Sequence, residues 1–210
     1  NSAEVGFVFA PTQRLQASSS LFLLKWNNRQ IAQSLVSQGQ AALRTINCCD
    51  LNGQGFESAL GWAPGPNLKL RMTGSYSQLR VARSNLAQIL AGSTFDYAPQ
   101  WTWSASAKYA FHLAKTQGTL VLSYAWRGSH LLATSGEQVH RQAAFGVVDA
   151  HLDIAFSKHL SVSLWGTNLT VRQWIAAVNQ TAAQIPFMGT TGFQLGSKPR
   201  TIGLSAALRY

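Results

Sequence analysis

The chain has 210 residues, 46% of them hydrophobic and only 11% charged, with 17 Lys and Arg against 7 Asp and Glu and a formal net charge of +10. Its mean hydropathy is near zero, and no apolar run approaches the roughly 18 residues of a membrane helix, which excludes a helical membrane protein. Soluble domains carry about 25% charged residues, so this surface is poor in charge. The cations are scattered singly, with no basic run or helix, which argues against nucleic acid as a partner.

In chain order, short segments alternate apolar and polar side chains, the period of a strand with two different faces. Val5, Phe7 and Phe9 mark the first, against Glu4 and Gly6. Residues 15–26 form a second, less regular because 21–24 are continuously apolar. Phe56, Ser58, Leu60 and Trp62 mark a third, against Glu57 and Gly61. In the fourth, Leu68, Leu70, Met72, Gly74 and Tyr76 alternate with Lys69, Arg71, Thr73, Ser75 and Ser77. In the fifth, Trp101, Trp103, Ala105, Ala107, Tyr109 and Phe111 alternate with Thr102, Ser104, Ser106 and Lys108. Leu120, Leu122, Tyr124 and Trp126 oppose Thr119, Ser123 and Arg127 in the sixth. Val148, Ala150, Leu152, Ile154 and Phe156 oppose Asp149, His151 and Asp153 in the seventh. Leu160, Val162 and Leu164 oppose Ser161 and Ser163 in the eighth, with Trp165 the exception. The ninth puts Ile202, Leu204, Ala206, Leu208 and Tyr210 on one face and ends on an aromatic. Each is close to the roughly 10 residues that a tilted membrane strand requires.

The links alternate too. Short turns fall at 11–14, 63–67, 113–118 and 157–159, and long links at 27–53, 77–100, 129–146 and 169–200. Outer-membrane barrels have short periplasmic turns and long extracellular loops. If the last strand ends at the periplasm, parity puts every short turn there. Trp62, Trp101, Tyr109, Phe111, Phe156 and Tyr210 fall near strand ends, as girdle aromatics do. The pattern predicts an all-β, antiparallel up-and-down transmembrane β-barrel whose strands, about nine, form an incomplete, open barrel. A soluble β-sandwich binding module is the alternative, weakened because Lys69, Arg71, Lys108 and Arg127 all take the polar faces of their strands. Cys48 and Cys49 are neighbours; they cannot staple distant segments, and they read as incidental residues at a loop edge. No signal peptide precedes the first strand, so a longer precursor or an incomplete reading frame is expected.

Four stretches together resemble TonB-dependent outer-membrane receptors. Gly55, Phe56 and Glu57 open a strand after a long link, as the family's Gly-x-Glu does. Asp96, Tyr97, Ala98 and Pro99 precede the strand 101–111 like the family's entry into a strand. Asp149, His151 and Asp153, followed by Leu164 to Thr170 with its Asn168, Leu169, Thr170 ending, resemble the penultimate hairpin, although Val171 to Trp174 depart from the usual continuation. Lys198, Pro199, Arg200, Thr201 and Gly203 resemble the start of the closing strand. The resemblance runs from about Glu4 to Tyr210, and it implies that residues 1–210 are the C-terminal portion of the barrel domain, without the plug domain or its energy-coupling segment. The family's whole barrel has about 22 strands around a plug. The resemblance implies uptake of a scarce nutrient (siderophore-iron, haem, cobalamin or glycan) with no cofactor. Implied partners are outer-membrane lipid, the TonB energy-coupling complex acting through the missing plug, the outer-membrane assembly machinery and a small nutrient ligand. Another outer-membrane barrel, porin-like or an autotransporter translocator, is the runner-up.

No catalytic pattern stands out: no Ser lies in a Gly-x-Ser-x-Gly elbow, the five histidines lack metal spacing, and phosphate loops are absent. The expectation is a receptor or transporter, not an enzyme. Arg71, Lys108, Arg127, Asp149, His151 and Asp153 are the candidates for the barrel lumen. In the long links, 30–44 is amide-rich and 174–193 carries aromatics and amides; Gln30, Arg44, Trp174, Asn179, Gln184 and Phe187 are the candidate ligand contacts. Ile202, Leu204, Leu208 and Tyr210 are the expected signal for outer-membrane assembly.

Overall fold

A computed structural model describes residues 1–37, 40–86, 89–114, 116–135, 138–179 and 193–209, with side chains outside 32–43, 133–139 and 177–194. Tyr210, Gln184 and Phe187 therefore lie outside the described residues. The strands are β1 (Ser2–Thr12), β2 (Leu15–Ser37), β3 (Gln40–Gly65), β4 (Leu68–Ser84), β5 (Trp101–Leu113), β6 (Thr116–Arg127), β7 (His130–Ser135), β8 (Gln138–Gln142), β9 (Phe145–Ala155), β10 (Leu160–Thr167), β11 (Ile175–Asn179), β12 (Phe193–Gly196) and β13 (Thr201–Leu208). Nine of them make one sheet in the order β1-β2-β3-β4-β5-β6-β9-β10-β13, antiparallel throughout. The pairs β7-β8 and β11-β12 are separate hairpins set into long links.

Register carries the alternation across the sheet. One row runs Leu60, Met72, Ala105, Tyr124, Val148 over five strands, and another runs Arg71, Ser106, Ser123, Asp149 on the opposite face. On the first face large apolar groups stand in the open: Phe7 is 64% exposed, Leu21 60%, Met72 50% and Leu204 71%. A soluble sandwich would bury this face against a second sheet. Here the row is an apolar band that only hydrocarbon would match.

Aromatics bound the band. Phe56, Tyr76 and Trp101 form one cluster, with ring centroids 4.8 to 6.1 Å apart. Tyr109 and Phe111 stack toward the other end at 6.2 Å. Trp101 and Phe111 are both on β5, and their separation of ten residues spans about 34 Å along the strand. With the usual barrel tilt that is about 25 Å of thickness, the height of an outer-membrane apolar band.

Two expectations need correction. The link 27–53 is not a loop: β2 and β3 continue as a paired ladder out to Ser37 and Gln40, with bulges near Arg29. Alternation weakens beyond the band because no hydrocarbon sorts the faces there, yet the backbone pairing runs on. Cys48 and Cys49 are not incidental either. They are bonded to each other and buried at 0% and 4% exposure. With Leu51 and Val81 they form a small core, packed by Ile31, Leu79, Leu86, Ile89 and Phe95. Their sequence adjacency hid this because the core is built by the link after β4 folding back: Val81 N donates to Ser93 O, and Gly92 N to Val81 O.

Rings also lie across mid-strand glycines. Phe111 covers Gly118 on β6, and Trp165 covers Gly203 on β13, where an added Cβ would collide with the ring. These glycines are needed for close approach rather than for a turn.

Among the described residues, neither β1 nor β13 has a neighbour on its outer side, so the sheet is open. Unpaired edge groups have no water to bond in hydrocarbon, which makes an open sheet unstable there. Expressed by itself, the 210-residue chain is expected to aggregate; a heat-modifiable compact band on an unboiled gel would contradict this. Within a complete barrel, Met72→Arg, at mid-band on the apolar face, is expected to cost about 2–4 kcal/mol in bilayer unfolding, and Thr73→Arg on the other face far less.

Candidate functional site

The face opposite the apolar band is lined with hydroxyls. Thr73 and Ser104 pair at 2.8 Å, and Ser75 and Thr102 at 2.7 Å, both across β4 and β5. Together with Ser18, Ser20, Glu57 and Arg127 they line a concavity of about 820 Å³. Small hydroxyls satisfy one another across strands and still accept and donate toward water or a solute.

All six lumen candidates fall on this face, since each is in register with the others two or four residues apart or across neighbouring strands. They do not converge on one centre. Lys108 stands opposite Lys69, a like-charge pair on adjacent strands. His151 Nε2 lies 2.9 Å from Asp153 Oδ1, which also accepts from Ser163 Oγ at 2.5 Å. Asp149 holds the backbone instead, its Oδ1 accepting from the Asn168 N–H at 2.8 Å. Among the described residues no three His, Cys, Asp or Glu side chains group as metal ligands would.

Asn168, read from the sequence only as part of a family-like ending, has a structural role that the sequence does not announce. It is 4% exposed and has a φ of 51°, in the left-handed region that Asn tolerates. Its Nδ2 donates to Arg172 O at 2.8 Å and to Lys198 O at 3.1 Å, and its Oδ1 accepts from Arg172 N at 2.8 Å. One amide thus ties the start and end of the link between β10 and β13. The two halves of the stretch that resembles the penultimate hairpin, at Asp149 and at Asn168, are hydrogen-bonded to each other. The available signal was an Asn directly after a strand, a turn-forming position.

Gln142 joins the next link. Its Oε1 accepts from Ile175 N at 2.7 Å, and Arg172 Nη2 donates to Ala144 O at 3.3 Å. This sets Trp174 flat on Phe145, with centroids 4.8 Å apart and planes 10° from parallel. Trp174 is therefore held against the concavity, which both rings line. Of the other ligand candidates, Gln30 pairs with Asn47 and Arg44 with Gln33 in the β2-β3 ladder, and Asn179 pairs with Phe193 in β11-β12.

Arg29 organises the rim beside the cysteine pair. Its guanidinium sits 4.1 Å over the Phe95 ring and its Nη1 is 3.9 Å from Cys48 Sγ. Partial burial lowers the Arg29 pKa and raises that of Asp96, and the attraction between the two opposes both shifts. Nearby, Asp50 bridges Arg83 at 3.0 Å and accepts from Asn28 N at 2.9 Å.

A single antiparallel sheet with an apolar outer band, a hydroxylated inner face and structured links at one end is the wall of an outer-membrane-type β-barrel. The family model described as TonB dependent receptor-like, beta-barrel, matches residues 1–169, and the chain belongs to that family. No curated protein matches it in sequence. The ferric yersiniabactin uptake receptor FyuA from Yersinia pestis superposes with a TM-score of 0.79 at 15% identity, over 99% of this chain and 29% of that one. The copper transporter OprC gives 0.71 at 12% identity, over 99% and 31%. The ferripyoverdine receptor of the outer membrane of Pseudomonas aeruginosa gives 0.67 at 16% identity, over 99% and 26%. The chain thus spans under a third of the length of each of these, and at such identities the likeness is one of fold.

Asn168→Gly keeps the left-handed backbone and removes three side-chain hydrogen bonds. It is expected to cost about 1–3 kcal/mol, read as a lower denaturant midpoint and faster protease cleavage within residues 170–200.

Proposed function

We propose that this chain is the C-terminal portion of the barrel of an outer-membrane receptor that takes up a scarce nutrient by energy coupling. The observation that carries the reading is the two-sided wall of a family-matched sheet: apolar outside, hydroxylated inside, with links folded over one end. The remaining strands close the barrel against β1 and β13, and a plug elsewhere in the receptor fills the lumen and takes the pull of the TonB complex. Ile202, Leu204 and Leu208 stand in one exposed apolar row on edge strand β13, which suits presentation, with Tyr210, to the outer-membrane assembly machinery.

The cargo is a siderophore-iron complex, haem, cobalamin or a glycan. Ferric siderophores lead, supported by the ferric yersiniabactin and ferripyoverdine receptors among the similar structures and by the cations of the inner face. Arg71, Arg127 and the opposed pair Lys69 and Lys108 favour an anionic solute or carboxylates of the plug, since like charges set opposite each other are relieved by an anion between them. Trp174 offers the rim an apolar plate. The family is one of receptors and transporters, and the role assigned is transport, not catalysis.

Deleting the gene is expected to abolish energy-dependent accumulation of one nutrient class, with radiolabelled ferric siderophores tested first. Removing inner-membrane energy coupling should give the same loss. Uptake that persists without coupling would make the barrel a passive channel and overturn the reading.

A further inference from the structure

Above the Phe56, Tyr76 and Trp101 cluster the apolar face changes chemistry on three adjacent strands. The alternation that places Leu21 and Leu23 outward also places Lys25 there, and that of Phe56 and Tyr76 places Asn52 and Arg80 there, with no register shift between. Lys25, Asn52 and Arg80 fall in one cross-strand row, and all three are exposed. Two strand spacings separate the cations, about 10 Å. The row lies four residues beyond the aromatic cluster, about 13 Å along the strand.

Arg80 is held in place. Its Nη1 donates to Gly92 O at 3.1 Å. Its Nη2 and Nε donate to the Gln78 amide oxygen at 3.1 and 3.2 Å once that amide is oriented to satisfy both partners. This fixes the guanidinium on the outer surface at the depth where a membrane carries headgroups, above the aromatic belt. A cation pair bracketing an amide donor at that depth matches phosphate oxygens, with Arg supplying a planar fork and Lys a point charge.

We propose that Lys25, Asn52 and Arg80 form an exterior binding site for a phosphorylated glycolipid headgroup of the outer leaflet. The proposal rests on the outer-membrane reading above. It makes the wall between β2 and β4 a place where the barrel grips its membrane, independent of the cargo route inside.

The test uses the protein expressed from its complete gene and extracted from outer membranes in mild detergent. Native mass spectrometry counts co-purified glycolipid, and titration with diphosphorylated glycolipid, its dephosphorylated form and inorganic phosphate identifies the ligand. Wild type should bind the diphosphorylated lipid. Lys25→Gln with Arg80→Gln should weaken that binding about tenfold or more, from about one kcal/mol per cation at a membrane surface. Lys25→Gln alone, which leaves the Arg80 contacts to Gln78 and Gly92 intact, should give part of the loss. Lys158→Gln, at the short-turn end, should give none. Equal lipid binding by wild type and the double variant, both in the outer-membrane fraction, would overturn the site. So would equal preference for dephosphorylated lipid, or equally strong binding of inorganic phosphate. Wild-type protein missing from the outer-membrane fraction would instead overturn the membrane reading, and the site with it.

Discussion

A peptide group in hydrocarbon has no water to turn to, and each one left unbonded costs several kcal/mol. The strand ladders meet that demand here. From β1 to β13 each strand hands its N–H and C=O groups to its neighbours, and the side chains are then free to differ between faces. The exposed Phe7, Met72 and Leu204 are tolerable only because the backbone behind them is already paired. The same demand makes the outer sides of β1 and β13 the weakest part of the sheet.

Past the aromatic belts the demand relaxes, and the chain uses its freedom differently at the two ends. At one end it turns back within a few residues. At the other, β2 and β3 run on, the link after β4 folds onto Leu79 and Val81, Gln142 ties the two hairpins to each other, and Asn168 ties together the two ends of the link that carries β11 and β12. The packed core of the described residues sits there, around the cysteine pair, and not between layers. Ordinary soluble packing therefore occurs where water returns.

Sequence reading reached the part governed by hydrocarbon. Strands such as 68–76 and 101–111 were legible because a two-residue period sorted by lipid and water is nearly free of exceptions. The same period puts the six charged candidates on one face. The rim was not legible, for a physical reason. Its order comes from contacts between residues far apart in sequence, such as Asn168 with Lys198, Gln142 with Ile175 and Arg29 with Phe95. No local pattern announces these. Adjacent cysteines looked incidental because adjacency says nothing of what folds over them. Asp149 shares the face of the other candidates, but its bond to the Asn168 backbone N–H has no sequence signature.

Alternation has one blind spot of its own. Sliding a strand by one residue turns it inside out, and the apolar face forbids that. Sliding it by two keeps every face intact and costs the pattern nothing. The ring-over-glycine pairs remove this ambiguity. Moved two positions, Phe111 would meet Thr116 or Leu120 in place of Gly118, and Trp165 would meet Thr201 or Ser205 in place of Gly203. Each of those carries a Cβ where the ring must lie. The glycines act as detents, seating neighbouring strands at one step of a ladder whose other steps look alike.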